Sequence, residues 1–134
     1  MSENALSFFN SLIWHDSELL SLQTVRNHEL DEVHLELNLR NVNGQETTPT
    51  TLVFEDAIFF FSDIDLQFKR ECSDQISSAR CTADLDSIRK LQAERLSNSP
   101  DALVGYLHFS IRLIPPGGTI DIVAANCSIQ PQSG

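Results

Sequence analysis

The sequence predicts an α+β domain, mainly antiparallel sheet, with a short N-terminal helix and one helix near residues 85–97. Three observations carry that expectation. Val33, Leu35, Leu37 and Leu39 alternate strictly with His34, Glu36, Asn38 and Arg40, the period-two pattern of a strand with one dry and one wet face. Two β-rich runs near the C-terminus flank Pro115-Pro116-Gly117-Gly118, with Pro and Gly where a type II turn wants them. Helical spacing occurs twice, at Ala5, Phe8, Phe9 and Leu12 and again at Leu85, Ile88, Leu91 and Leu96. Strands grouped apart from helices, without a regular β–α alternation, fit an antiparallel sheet partly covered by helix.

Taken in order, Asn4 to Ile13 reads as the first helix, with Asn4 able to cap it. Glu18 to Arg26 follows as a strand in which Leu20 and Leu22 share a face and Val25 does not. A bulge near Gln23 or Thr24 would reconcile them. The polar turn Asn27 to Asp31 then joins this strand to the Val33–Leu39 strand in an antiparallel hairpin. Asn43-Gly44 supplies the next turn, since Asn-Gly accepts positive φ. Thr50 to Phe54 is a third strand, whereas Ala57 to Phe61 is continuously apolar and its period does not separate helix from strand.

Ile64, Leu66 and Phe68 alternate with polar residues and predict a fourth strand, and Ile76 to Thr82 a short further one. The second helix begins at Leu85, where Asp84 or Asp86 can cap it, and stops before Ser99-Pro100. Tyr106 to Ile114 and Thr119 to Ile129 form the closing hairpin. A two-residue turn at Pro116-Gly117 pairs Leu113 with Ile120, Arg112 with Asp121 and Ile111 with Ile122. That register sets Phe109, Ile111 and Leu113 on one face with Ile120, Ile122 and Ala124.

With 134 residues the chain reads as a single domain, residues 1–134, large enough for a core without staples. Nineteen acids against nine Lys and Arg give a net charge of −10. This argues against nucleic acid, whose phosphates require clustered cations, and fits solubility or a basic protein partner. Met1-Ser2-Glu3-Asn4 lacks the basic region of a signal peptide. No run reaches the ~20 apolar residues of a membrane span, so the expected place is the cytoplasm, away from membranes. Three cysteines, Cys72, Cys81 and Cys127, are odd in number and show no CxxC spacing, so reduced thiols are expected.

The chemistry-bearing stretch is Trp14-His15-Asp16-Ser17, which holds the only tryptophan beside three polar side chains. These four residues are the candidate binding residues. A catalytic role is not assigned to them, because neighbours along a strand point to opposite faces and a triad needs convergence. The structural alternative has Trp14 closing the core edge while His15 or Asp16 bonds the backbone where helix becomes strand. His15, His28, His34 and His108 show no tight ligand spacing, and Glu55, Asp56, Asp63 and Asp65 lack the alternation and glycine of a calcium loop. His34 and His108 are expected to be solvated, and no metal is assigned. Gly117-Gly118 belongs to a hairpin, not to a phosphate-cradling helix start, so no cofactor is assigned either.

From Trp14 to Ser21, WHDSELLS, and on into the Val33–Leu39 strand, the chain resembles a loose group of small bacterial proteins. In these a short N-terminal helix leads into a WHDSxLLS-like motif and a β-rich body, and some are similar to immunity proteins that neutralise polymorphic toxins. Gly117 to Ala124 is similar to that group's last strand, whereas Asp63 to Pro100 matches nothing in it. The resemblance implies a cytoplasmic bacterial α+β protein with an antitoxin-like role, and supplies no catalytic residues. The functional expectation is therefore a non-enzymatic protein-binding module, immunity-like, directed at a basic partner. The alternative is a ligand-binding or enzymatic domain with a pocket near Trp14, His15 and Asp16. A scaffolding homodimer is a third possibility.

Overall fold

The computed structural model describes residues 2–26, 30–40, 46–63, 75–84, 86, 105–114 and 118–130. Outside them fall the expected turns at 27–29 and 41–44, the expected strand at 64–68, the expected helix at 85–97 apart from residue 86, and the turn at 115–117. The first helix begins two residues before Asn4, which is therefore inside it and not its cap, and ends at Ser11, leaving Ile13 to the first strand. Helix α1 (Ser2–Ser11) precedes six strands: β1 (Ile13–Arg26), β2 (Asp31–Arg40), β3 (Thr47–Ser62), β4 (Ile76–Thr82), β5 (Leu107–Leu113) and β6 (Gly118–Gln130). They form one antiparallel sheet in the order β1-β2-β3-β6-β5-β4. The sheet-dominated part of the expectation holds, and the described residues are nearly all β.

The sheet coils until its two end strands meet. A single bridge between Glu18 and Gln75 joins β1 to the start of β4. Beside it, the Asn10 carboxamide at the end of α1 imitates a strand. The Cys81 N–H donates to Asn10 Oδ1 at 2.8 Å, and Asn10 Nδ2 donates to the Cys81 carbonyl at 3.0 Å. Both polar groups of a β4 edge residue are thereby satisfied without a neighbouring strand.

Inside the coil, the apolar stripe of α1 delivers Ala5 and Phe9, both buried, to the concave face. The Phe9 ring centroid lies 4.5 Å from Trp14, 5.1 Å from Phe109 and 6.2 Å from Phe54. These tilted and edge-on contacts suit aromatic quadrupoles, each contributing about 0.5–1.5 kcal/mol beyond area burial. Val33, Leu35, Leu37 and Leu39 are buried as their alternation requires, and so are Phe109, Ile111, Leu113, Ile120, Ile122 and Ala124.

Several details depart from the sequence expectation. Strand β1 starts at Ile13, so the Trp14–Ser17 stretch lies within the strand, not ahead of it. Its second irregularity falls at Leu20, between the pairs Leu19/Leu37 and Ser21/Glu36, not at Gln23 or Thr24. Leu20 therefore turns outward, and Leu19 and Leu22 share the core side. Strand β3 runs on through Ala57–Phe61, shifted at Ile58, which explains why that run shows no single period.

The closing hairpin is displaced from the expected register. Leu113 pairs with Gly118, Arg112 with Thr119 and Ile111 with Ile120, so Arg112 is not opposite Asp121. The apolar faces survive, because a two-residue slip preserves them. Ile114 leaves the ladder instead of pairing with Thr119, and its N–H donates to the Gln75 carbonyl at 2.8 Å.

Candidate functional site

Trp14-His15-Asp16-Ser17 forms a large bulge. Ile13 pairs with Arg40 and Glu18 with Asn38, so the four residues together face only Leu39. Asp16 takes the left-handed conformation, φ 69°, which Asp tolerates better than most side chains. Its Oδ2 accepts from Arg40 Nη1 at 2.6 Å. Ser17 is fully buried. Its hydroxyl donates to the Ile13 carbonyl at 2.7 Å and accepts from the Arg40 N–H at 2.8 Å, bridging the gap that the bulge opens in the ladder. Trp14 is also buried, and its indole N–H donates to the Phe9 carbonyl at 2.9 Å.

Only His15 of the four is wide open to solvent, with 72% of its side chain accessible. Its Nε2 is 3.6 Å from Asp16 Oδ1 and its Nδ1 3.5 Å from the Ser77 carbonyl, both long for hydrogen bonds. His15 faces outward and Ser17 inward with its hydroxyl engaged, so the two do not form a nucleophile and base. Ser17→Ala should cost about 1–3 kcal/mol by stranding the Arg40 N–H and the Ile13 carbonyl. Urea denaturation compared with wild type measures it.

A second region lies on the outer face of β3-β6-β5-β4, where a groove of about 1040 Å³ is open to solvent. The register sets its side chains in rows across the sheet. One row is Arg80, Ser110, Asp121 and Phe61; the next towards one end is Ser78, Arg112 and Thr119; the next towards the other is Thr82, His108, Val123 and Phe59. His108 is not simply solvated, since its Nε2 lies 2.7 Å from Asp121 Oδ1 and only 12% of its side chain is exposed. His34 likewise pairs with Glu32 at 2.9 Å. Both histidines stand on wet strand faces, but each has a carboxylate partner that alternation does not reveal.

The third region is the edge of β3. Strand β2 pairs with Thr47–Phe54 only, while β6 pairs with the far half up to Ser62. Among the described residues, nothing hydrogen-bonds in a ladder to the other edge from Glu55 to Ser62. Ile58, Phe60 and Phe61 are exposed there. Asp56 takes the left-handed conformation, φ 54°, and accepts from the Tyr106 hydroxyl at 2.8 Å. Burial, that hydrogen bond and the Asp56 charge all push the Tyr106 hydroxyl above its ordinary pKa. At the strand's end Asp63 Oδ1 accepts from the Thr119 N–H at 2.6 Å and from its hydroxyl at 3.0 Å. These bonds hold the Asp63 carboxyl below the usual carboxylate range, the backbone one contributing most.

The described cysteines are poor nucleophiles. Cys81 and Cys127 are free and buried, and burial pushes the Cys81 thiol up to about 12. Burial, then the neighbouring Cys81 and Glu55, raises Cys127 as well. Both stay protonated at neutral pH, and a thiol attacks only as thiolate.

No protein-family model matches the chain, and comparisons with curated proteins and with solved structures return no match. Among the described residues, no group of three or more His, Cys, Asp or Glu is placed to hold a metal ion. No described helix is long and apolar enough to cross a membrane.

Sequence reading singles out Trp14 to Ser17 and misses the groove and the β3 edge. The alternations Ser78-Arg80-Thr82 and His108-Ser110-Arg112 are visible signals. Only the pairing of β4 with β5 makes neighbours of them.

Proposed function

We propose that this chain is a non-enzymatic protein-binding module that takes an extended, basic segment of a partner onto the free edge of β3. The observation that carries the reading is the edge of that strand's far half opposite β6, which no described residue pairs with in a ladder, with Ile58, Phe60 and Phe61 exposed along it. An unpaired edge is a template for another strand, and strand addition draws affinity from main-chain bonds and selectivity from alternate side chains. Asp31 and Asp63 are exposed near the two ends of this stretch, and the whole chain carries −10. A segment alternating Lys or Arg with apolar residues complements both features. A second copy of the chain fits less well, because it sets two strongly negative surfaces together.

An immunity-like protein that masks a basic toxin is the specific form suggested by the WHDSxLLS-like resemblance. Within that form Trp14, Asp16 and Ser17 build the scaffold, and His15 is the residue of the motif within a partner's reach.

Panning a displayed library of short peptides against the purified chain tests the reading. Enriched peptides should alternate basic with β-branched or aromatic residues, and their binding should weaken as salt screens it over about 8 Å. The Ile58→Glu/Phe60→Glu double variant, checked for folding by circular dichroism, should bind at least about tenfold more weakly, or ~1.4 kcal/mol. Equal binding by the folded double variant would sink the edge as the docking site.

A further inference from the structure

We propose that the outer face of β4, β5 and β6 binds a small organic anion, with Arg80 and Arg112 converging over Ser110 on its phosphate or carboxylate. Arg80 sits opposite Ser110, and Arg112 lies two residues further along β5, opposite Ser78. The two arginines are thus diagonal neighbours on adjacent strands, with Cβ atoms about 7–8 Å apart. Both are exposed, and both line the groove. Their long stems allow two planar guanidiniums to meet on one anionic group, the geometry that favours Arg over Lys for phosphate and carboxylate.

Charge balance strengthens the argument. In a chain of net charge −10, an arginine has many acids to choose from. Arg40 has taken Asp16. Among the described residues neither Arg80 nor Arg112 forms an ion pair, although each stands beside a like charge. Three carboxylates also line the groove, Asp84, Asp86 and Asp121. None pairs with either arginine: Asp121 lies 2.7 Å from His108, Asp84 Oδ1 accepts from the Asp86 N–H at 3.1 Å, and Asp86 has a further interaction of its own. The Ser110 hydroxyl between the arginines has no hydrogen-bond partner among the described residues, which leaves it free to donate to an oxyanion.

The same rows limit the ligand's size and polarity. Phe61 stands two strands from Ser110, beyond Asp121, a distance of about 10 Å at the usual strand spacing. Asp121 repels a second negative group, so the acidic end belongs over β4 and β5. An apolar or aromatic body then extends towards Phe61 and Phe59. A polyanion does not suit the site, because the surrounding field is negative.

Titration of the 15N-labelled chain with phenyl phosphate, benzoate and inorganic phosphate tests this. Phenyl phosphate or benzoate should give saturable shifts centred on Arg80, Ser110 and Arg112, and whichever binds tighter identifies the acid group. The Arg80→Gln/Arg112→Gln double variant should lose at least about tenfold in affinity and should unfold no earlier than wild type without ligand, since it removes a like-charge pair. Absence of saturable shifts for both organic anions would overturn the proposal, as would unchanged affinity in the double variant. Inorganic phosphate binding as tightly as phenyl phosphate would overturn the organic class. The arginines that hold the acid stand on β4 and β5 whereas the edge variants change β3, so loss of anion binding in the arginine variant and loss of peptide binding in the edge variant are separate results.

Discussion

Trp14→Ala should lower the folding free energy by about 3–5 kcal/mol, the usual range for deleting a buried aromatic side chain. Trp14 is 5% exposed and packs at 4.5 Å on Phe9, the residue through which α1 joins the sheet core. Truncation leaves a void beside Phe9 and also frees the Phe9 carbonyl from the indole N–H. That carbonyl keeps one weaker contact, the Leu12 N–H at 3.3 Å. Trp14→Phe should be milder, since it keeps a ring and loses chiefly the hydrogen bond, worth about 0.5–1.5 kcal/mol net. Denaturation followed by far-ultraviolet circular dichroism measures both, because the variants lose the only tryptophan signal. A midpoint for Trp14→Ala equal to wild type would mean that the indole does not close the core.

Gly118→Ala should be the next most damaging change, through backbone rather than core. Gly118 has φ 105°, outside the conformations an alanine adopts without strain, which alone costs about 1–3 kcal/mol. An added Cβ would also lie 2.7 Å from the Asp63 carbonyl oxygen and 2.8 Å from Asp63 Oδ1. The carboxylate can swing away only by giving up the Thr119 N–H. The carbonyl is less able to retreat, because the Asp63 N–H is tied to the Thr119 carbonyl at 3.2 Å. The variant should therefore lose the Asp63 clamp between β3 and β6 as well as stability. Amide hydrogen exchange at Thr119 should accelerate relative to wild type, and the thermal midpoint should fall. Wild-type exchange at Thr119 in this variant would show that the close approach is not a real constraint.

The register of the closing hairpin marks where sequence reading ends. Alternation in Phe109-Ser110-Ile111-Arg112-Leu113 and in Ile120-Asp121-Ile122 states which residues face the core. It is blind to a two-residue slip, because every side chain keeps its face. Two contacts that alternation does not encode accompany the observed register: the Ile114 N–H leaves the hairpin for the Gln75 carbonyl, and within the hairpin Asp121 pairs diagonally with His108. The expected Arg112–Asp121 pair is a good local match that these other partners outcompete.

The motif follows a similar course. Its polar residues are legible as a corner of the structure, but not their separate tasks. Ser17 is the least conspicuous of the four. It is fully buried and bridges the bulge through Ile13 and Arg40, and a partner 23 positions away leaves no periodic trace in the chain.

By itself the sequence determined the short helix, its Phe9 stripe, the β2 strand and the inward rows of β5 and β6. Each follows from a period of about 3.6 or 2 acting on neighbouring residues. Tertiary structure alone decided that Asn10 caps the edge of β4, that among the described residues no second strand pairs with the far half of β3 beside β6, and that Arg80 and Arg112 share a groove. Those outcomes depend on which strands become neighbours and in what register. That choice is made by the sum of burial and hydrogen bonding over the whole sheet, so no single stretch of the chain contains it.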